Sequence, residues 1–457
     1  MNLQGALLCA GALNAPRRHR GREDCSFAVV LPSMSENAAQ AQSSPQQPRN
    51  IVVGVSGGIA AYKAAHLVRN FKEHGDDVRV VPTQAALNFV GAATFEALSG
   101  NPVSTTVFDA VDEVQHVNIG QHADAVVIAP ATADVIARIA AGRSDDLLTA
   151  TVLVATCPVI VVPAMHTEMW FNPATQDNVA TLRRRGITVM EPAHGRLTGK
   201  DTGPGRLPEA EQIAELVRTR LAFGELPHDW RGLSVLISAG GTQENLDPVR
   251  FIGNRSSGRQ GFALAELAAQ RGAMVTIVAG DTDDLITPSG AEVVKIVSTQ
   301  DLKNEMDTRA PEADIVIMSA AVSDYRPVNV ASSKMKKGSD DSALSTLEMT
   351  ENPDILKGLV AAREGGLIPG STTIVGFAAE TGDEESTALE FAQAKFERKG
   401  CDVLMANDVS AGKVFGQKDN EGWILTKELE PRTVARGSKQ VVAAQILDVV
   451  NEIRHEK

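Results

Sequence analysis

The stretch GNRSSGRQG, residues 253–261, gathers anion-binding groups more densely than any other part of this chain. The run VLISAGGTQENLDPVRFI leads into it, and the helix-like run FALAELAAQRGA follows. A basic turn rich in serine and glycine that opens a helix aims main-chain N–H groups and the positive helix end at an anion. Asn254, Arg255, Ser256, Ser257 and Arg259 add side-chain donors. A second turn, GVSGGIAAYK at residues 54–63, opens the other half of the chain. It departs from the dinucleotide fingerprint, but Gly54, Gly57 and Gly58 allow close backbone approach and Ser56 adds a hydroxyl. It fits a phosphate on the following helix N-terminus, and equally a tight strand–helix turn without a ligand. Two such turns point to two linked reactions on phosphorylated molecules.

The elements that must position these turns alternate regularly. IVVGV, VRVVP, AVVIAP, PVIVVPA and TVMEP are short β-branched runs, separated by helical stretches such as AYKAAHLVRNFKEHG and ADVIARIAAG. Buried apolar strands alternating with helices predict a doubly wound, mainly parallel sheet. Gly75, after Lys72, Glu73 and His74, reads as a helix stop. A first domain is predicted over residues 50–225 and a linker over 226–231. The pattern then restarts for a second domain over 232–457, with LSVLISAG, AMVTIVAG, VVKIV, ADIVIMSAAV, TTIVGFAAET and CDVLMAND as strands. The fold class is α/β with two Rossmann-like domains. Residues 1–49 read as a disordered extension, with Met34 as the expected true start. The charged run SSKMKKGSDDS reads as a mobile arm, or as a merely solvated loop.

Composition narrows the chemistry. A net charge of −13 over 457 residues argues against a general nucleic-acid binder, and no apolar run is long enough to span a bilayer. The cysteines Cys9, Cys25, Cys157 and Cys401 lack metal-ligand spacing and are too few for a disulfide scaffold, which points to a reducing cytoplasm. Metal ligands are not identifiable. His116 and His122 lie just before the AVVIAP strand, and either could be a structural histidine.

The first half resembles the homo-oligomeric, flavin-containing cysteine decarboxylases. The carriers are GVSGGIAAYK, His116 followed by ADAVVIAPATAD, GRSDDLLT, the Pro-Ala-Met turn and TGPGR. The resemblance implies FMN held by Gly54, Ser56, Gly57, Gly58, Ala129, Pro130, Thr132 and Ser144. It implies His116 as active-site base in the oxidation of a cysteinyl thiol to a thioaldehyde and loss of the adjacent carboxylate. Two positions depart from the family pattern. His166 replaces the usual substrate-contacting asparagine, and Gly199 stands where a flap cysteine protonates the enethiol. His194, Lys200, Asp201 or a water are the alternative proton donors.

The second half resembles the CTP-using bacterial phosphopantothenate–cysteine ligases, through GNRSSGRQG, SAAVSDYRP, SSKMKKG, ENPDIL, GFAAET and AKFERKGCDVLMAND. Together the halves resemble the bifunctional proteins of coenzyme A biosynthesis, over roughly residues 50–457. The resemblance implies that Asn254 steers an acyl-cytidylate, with Arg250 nearby, and that Lys334 neutralises the triphosphate. Met318, Ser319, Ala320, Ala321 and Asp324 would border the cytidine. Pro353, Asp354, Ile355, Leu356, Phe377, Lys395 and Lys399 would complete the pocket, although Lys395 and Lys399 could equally form an exposed helical face. Mg²⁺ is implied as a cofactor, and CTP, 4′-phosphopantothenate and cysteine as substrates. The implied assembly joins decarboxylase trimers through ligase dimers. The rival readings are a flavin domain that stops at the enethiol or serves as a scaffold, a non-enzymatic flavoprotein, and a nicotinamide-dependent oxidoreductase.

Overall fold

Two α/β sheets carry the chain, and each has the strand order of a doubly wound fold. The computed structural model describes residues 48–107, 114–197, 201–335, 347–382, 386–408, 419–427 and 429–456. The extension to residue 47, Gly199, Lys200 and most of the SSKMKKGSDDS arm lie outside them.

The first sheet has five parallel strands, in the order Asp77–Pro82, Asn50–Val55, Ala125–Ala131, Val159–Pro163 and Thr188–Val189. The chain starts in the second position, builds one strand outward and then returns to build the rest on the other side. That reversal leaves a crevice beyond the carboxyl ends of Asn50–Val55 and Ala125–Ala131. Both strands are almost wholly buried, as expected for β-branched runs covered by helices on both faces. The helix Ala64–Glu73 stops where predicted, with Gly75 left-handed at φ +89°.

The second sheet has eight strands. The first six in spatial order, Ala291–Lys295, Met274–Ala279, Ser234–Ala239, Ile315–Met318, Thr373–Glu380 and Val403–Asp408, are parallel. Asp419–Thr426 and Arg432–Ser438 extend it as an antiparallel hairpin, which periodicity alone does not foretell. Here the order reverses between Ser234–Ala239 and Ile315–Met318, beneath the GNRSSGRQG turn.

One continuous apolar cluster runs from Val53 and Phe71, through Ile213 and Val217, to Val235, Leu264 and Ile446. The residues expected to link the halves take part in this packing. Trp230 is fully buried, its indole N–H donates to Asn451 Oδ1 at 2.8 Å, and the Arg271 guanidinium lies 4.6 Å from its ring centroid. Arg271 is held in turn by Asp229 and Asp448 at 2.6 and 2.7 Å. Glu266 is buried at the same junction and accepts N–H groups from Gln270, Gln212 and Ser289. Burial is the larger influence and pushes its carboxyl up to about 7 despite those donors. No helix among the described residues is long and apolar enough to cross a membrane.

Candidate functional site

At the first crevice, Ser56 joins the two loops. Its hydroxyl donates to the Pro130 carbonyl at 2.8 Å, and its Oγ accepts the Thr132 N–H at 2.9 Å. A Cβ on Gly57 would lie 2.6 Å from Ala85 Cβ and 2.8 Å from its backbone carbonyl carbon, so packing requires this glycine, and one on Gly54 would lie 2.4 Å from Leu148 Cδ1. Gly58 has an open side, with no atom nearer than Thr132 Cγ2 at 3.7 Å. The segment that follows differs from the sequence expectation. Ile59–Lys63 is a 3-10 turn, and the α-helix starts only at Ala64. Lys63 is committed to both carboxylate oxygens of Glu209 at 3.0 Å.

The Pro-Ala-Met turn ends Val159–Pro163 at the same edge, and the TGPGR strand is bound to it. Met165 N–H donates to Gly205 O at 2.9 Å, and the Thr167 hydroxyl donates to Pro204 O at 2.8 Å. Gly205 is left-handed at φ +143°, and a Cβ there would sit 2.2 Å from Met165 O. His166 is exposed between these two anchor points. In the hairpin Ala193–Arg196 with Thr202–Arg206, Leu197 N–H donates to Asp201 O at 2.9 Å, and it is the strand Thr202–Arg206 that lies against the histidine's turn.

His116 begins the helix Gln115–His122, which lies close against Leu147–Val154; a Cβ on Gly120 would be 2.8 Å from Thr151 O. Among the described residues, His116 Nδ1 and Gln115 Oε1 are buried without a hydrogen-bond partner. Val114, just before them, has φ +45°, an outlier for a β-branched residue. His122 is exposed, with Nδ1 2.8 Å from Asn118 O, and Ser144 is exposed on a loop. Among the described residues no hydrogen bond joins His116, His166 or Ser144 to the Ser56 cluster. Cys157 precedes Val159–Pro163 at the opposite edge, and burial pushes its thiol up.

The second crevice is more tightly knit. Asn254 Nδ2 donates to Val322 O at 2.8 Å, which ties the GNRSSGRQG turn to the loop after Ile315–Met318. Ser319 Oγ–H donates to Ser238 O at 2.6 Å, Ala320 N–H to Ser238 Oγ at 3.2 Å, and Ala321 N–H to Gly240 O at 2.8 Å. Asn352 Nδ2 donates to Ser323 O at 2.9 Å, and its N–H donates to Asp324 O at 2.8 Å, which brings Pro353 and Asp354 to the same edge. Asp354 caps Ile355–Glu364 and pairs with Lys399 at 2.6 Å. Burial opposes its ionisation, but Lys399 and the Lys357 N–H outweigh that and hold the carboxyl below its ordinary range. Lys395 pairs with Glu380 at 2.8 Å. The side chains of Lys395 and Lys399 are 30% and 19% exposed, so this is not a bare solvated face. A Cβ on Gly376 would meet Leu356 Cδ2 at 2.7 Å, which sets Leu356 close beside Phe377's strand.

A family model described as flavoprotein matches residues 39–222, and one described as DNA/pantothenate metabolism flavoprotein C-terminal domain matches residues 230–453. The coenzyme A biosynthesis bifunctional protein CoaBC of Mycolicibacterium smegmatis is 57% identical over 403 residues, covering 88% of this chain and 97% of that protein. The protein of the same name from Mycobacterium tuberculosis H37Rv is 55% identical over 404 residues, covering 88% and 96%. That from Vibrio vulnificus CMCP6 is 42% identical over 408 residues, covering 89% and 98%. The chain belongs to the family of bifunctional coenzyme A biosynthesis proteins. It is a bifunctional enzyme, with a decarboxylase half on the first sheet and a ligase half on the second.

The decarboxylase half fits a flavin. Gly58 offers an open backbone beside the Ser56–Thr132 cluster, and the buried polar atoms of Gln115 and His116 lack the partners a bound group would supply. Among the described residues no group of three or more His, Cys, Asp or Glu could hold a metal ion.

In the ligase half, sequence reading missed Asp247. It is buried and accepts the N–H groups of Val249, Arg250 and Met335 at 2.7, 2.8 and 3.2 Å. Burial opposes its ionisation, yet these N–H groups and the Arg250 charge together hold the carboxyl below its usual range. Arg250 donates to Met335 O at 3.3 Å, so both residues hold Met335 in place next to the exposed Lys334. The Asp-Pro-Val-Arg spacing carried this signal: an acid ahead of a turn, three residues before an arginine.

Proposed function

We propose that the ligase half joins 4′-phosphopantothenate to cysteine at the expense of CTP, and that the decarboxylase half converts the product to 4′-phosphopantetheine with FMN. The hydrogen bond from Asn254 to Val322 O carries this reading, because it couples the anion turn to the loop assigned to cytidine. The carboxylate of 4′-phosphopantothenate attacks the α-phosphate of CTP and pyrophosphate leaves. Cysteine's amine then attacks the acyl carbon and CMP leaves. Both substrates are anions, so their approach requires cations. Asn254 orients the reacting carboxylate, Lys334 closes over the triphosphate from the arm moored by Asp247 and Arg250, and Lys395 and Lys399 exchange their carboxylate partners for phosphate oxygens. Met318, Ser319, Ala320, Ala321, Asp324, Pro353, Ile355, Leu356 and Phe377 enclose the nucleotide. Mg²⁺ would accompany the triphosphate and offset its negative charge.

In the decarboxylase half, Gly54, Ser56, Gly57, Gly58, Ala129, Pro130, Thr132 and Ser144 hold FMN, which supplies a redox step that no side chain can perform. His116 moves the substrate proton, and His166 binds the departing carboxylate end beside the TGPGR hairpin. The buried, unpartnered atoms at Gln115 and His116 and the exposed Ile59, Tyr62, Phe89, Met169 and Phe171 support a homo-oligomer that completes this site. We place the enzyme in the cytoplasm. The purified protein supplied with 4′-phosphopantothenate, cysteine and CTP should yield 4′-phosphopantetheine by mass. Accumulation of N-phosphopantothenoylcysteine, or of a product lighter by two hydrogens, overturns the decarboxylase part. The second outcome would follow from glycine at position 199 and would leave the first half an enethiol-forming domain.

A further inference from the structure

The hairpin that lies against the His166 turn is held at both stems from the ligase half. Its strands are Ala193–Arg196 and Thr202–Arg206, so Glu191 stands just before it and Glu209 just after it. The Glu191 N–H donates to Gln270 Oε1 at 2.8 Å, and Gln270 Nε2 donates to Glu266 Oε1 at 2.9 Å. The Glu209 N–H donates to Gln212 Oε1 at 3.1 Å, and Gln212 Nε2 donates to Glu266 Oε2 at 3.1 Å. Glu266 and Gln270 belong to the helix Arg259–Gln270 of the ligase half, and both are buried. The Ser289 N–H donates to Glu266 Oε2 at 2.9 Å and fixes the carboxyl group from its own half.

The same stems hold other parts of the decarboxylase edge. The Glu209 carboxylate takes Lys63, the last residue of the GVSGGIAAYK turn, at 3.0 Å, and also Arg206 at the end of the hairpin. Between the stems, Gly205 O accepts the Met165 N–H and Pro204 O accepts the Thr167 hydroxyl, one on each side of His166. The two glutamines are directional. Each spends its oxygen on a stem N–H and its nitrogen on Glu266, so the residue between them must offer an acceptor to both. The two oxygens of a carboxyl group do so. A primary amide in that place would turn an NH₂ group toward one glutamine, and reversing that glutamine would release its stem.

We infer that Glu266 is a positioning residue for the decarboxylase reaction, supplied by the ligase half. It holds both stems of the hairpin and, through the hairpin, the turn that carries His166. The inference rests on the reading that this edge binds the decarboxylase substrate, and it makes the ligase half part of the scaffold of that site.

The test compares the full-length wild type with Glu266→Gln and Gln212→Ala. Decarboxylation of supplied N-phosphopantothenoylcysteine is followed by carbon dioxide release, and ligation by CTP-dependent pyrophosphate release. Amide hydrogen exchange is followed in peptides covering residues 163–167, residues 193–206 and the strands of the ligase sheet. Losing one of these buried hydrogen bonds should raise the KM for N-phosphopantothenoylcysteine about tenfold in Glu266→Gln, with kcat held within about twofold. Gln212 is only partly buried, so Gln212→Ala removes one stem contact with little disturbance and should move the same KM in the same direction. Exchange should quicken in residues 163–167 and 193–206 and hold in the ligase strands, and the ligation constants should hold. An unchanged KM in both variants, a fall in kcat alone, or lost ligation with faster exchange across both sheets overturns the inference; the last would make Glu266 a general packing group. A wild type that releases no carbon dioxide fails the underlying reading instead, and the exchange pattern then still decides whether Glu266 holds the hairpin.

Discussion

The two ligand edges are built on similar sheets but finished differently. In the ligase half, the loops beyond the strands are tied to one another within one chain, through Ser238, Asn254, Ser319 and Asn352. In the decarboxylase half, the Ser56 cluster and the Pro-Ala-Met turn are tied in this way, while among the described residues Gln115 Oε1 and His116 Nδ1, on the segment of the expected base, are buried without partners. A buried polar atom without a partner costs roughly 1–3 kcal/mol, which a hydrogen bond from a bound group or a neighbouring surface would recover. The ligase edge joins its expected site residues to one another, whereas among the described residues no hydrogen bond joins His116 to the Ser56 cluster.

The largest expected effect tests whether the two edges are chemically independent. His116→Asn should lower decarboxylation about 10²- to 10⁴-fold and leave CTP-dependent pyrophosphate release unchanged. Loss of both activities would break the comparison. Asn254→Ala is the reciprocal probe. It should lower ligation about 10²- to 10³-fold, and decarboxylation of supplied N-phosphopantothenoylcysteine should continue at the wild-type rate.

The junction between the halves gives the next effect. Trp230→Ala removes a fully buried indole and its hydrogen bond to Asn451, and should destabilise the protein by about 3–5 kcal/mol in denaturant unfolding. If the two halves then unfold in separate transitions, the tryptophan is what makes them one cooperative unit.

The smallest effect is a pH slope from Glu266 at the same junction. Its folded pKa of about 7 lies above the ordinary value of 4.5. Between these values the folded state keeps a proton that the unfolded state has lost, so stability falls as pH rises and levels off above about 7. The slope is at most about 1.4 kcal/mol per pH unit. Denaturation midpoints measured from pH 4.5 to 8 should show this fall in the wild type, and Glu266→Gln should lack it. A wild-type curve that is flat over this range would remove Glu266 as a strained junction group.

Much of this architecture is legible before any coordinates. The β-branched runs, the helical stretches between them and Gly75 as a stop are local features, and their periods decide strand or helix with little help from distant residues. The glycine turns are legible for the same reason, since the need for close approach is written in the residue itself. Long-range closure is not. Nothing in the run around Gly422 announces that Asp419–Thr426 reverses direction, because pairing with Val403–Asp408 is a tertiary choice. Asp247 looks like an ordinary turn residue until Met335, far along the chain, donates to it.

Residue types and spacing therefore determined the α/β class and the two glycine-rich turns, and motif resemblance pointed to the family to which the chain belongs. Only the tertiary structure decided which loops meet: Asn254 with Val322, TGPGR with the Pro-Ala-Met turn, and Lys439 with the helix of Arg259. The reason is physical. Propensity and periodicity act over a few neighbouring residues, whereas burial, charge pairing and unsatisfied polar atoms exist only once distant segments have been packed together.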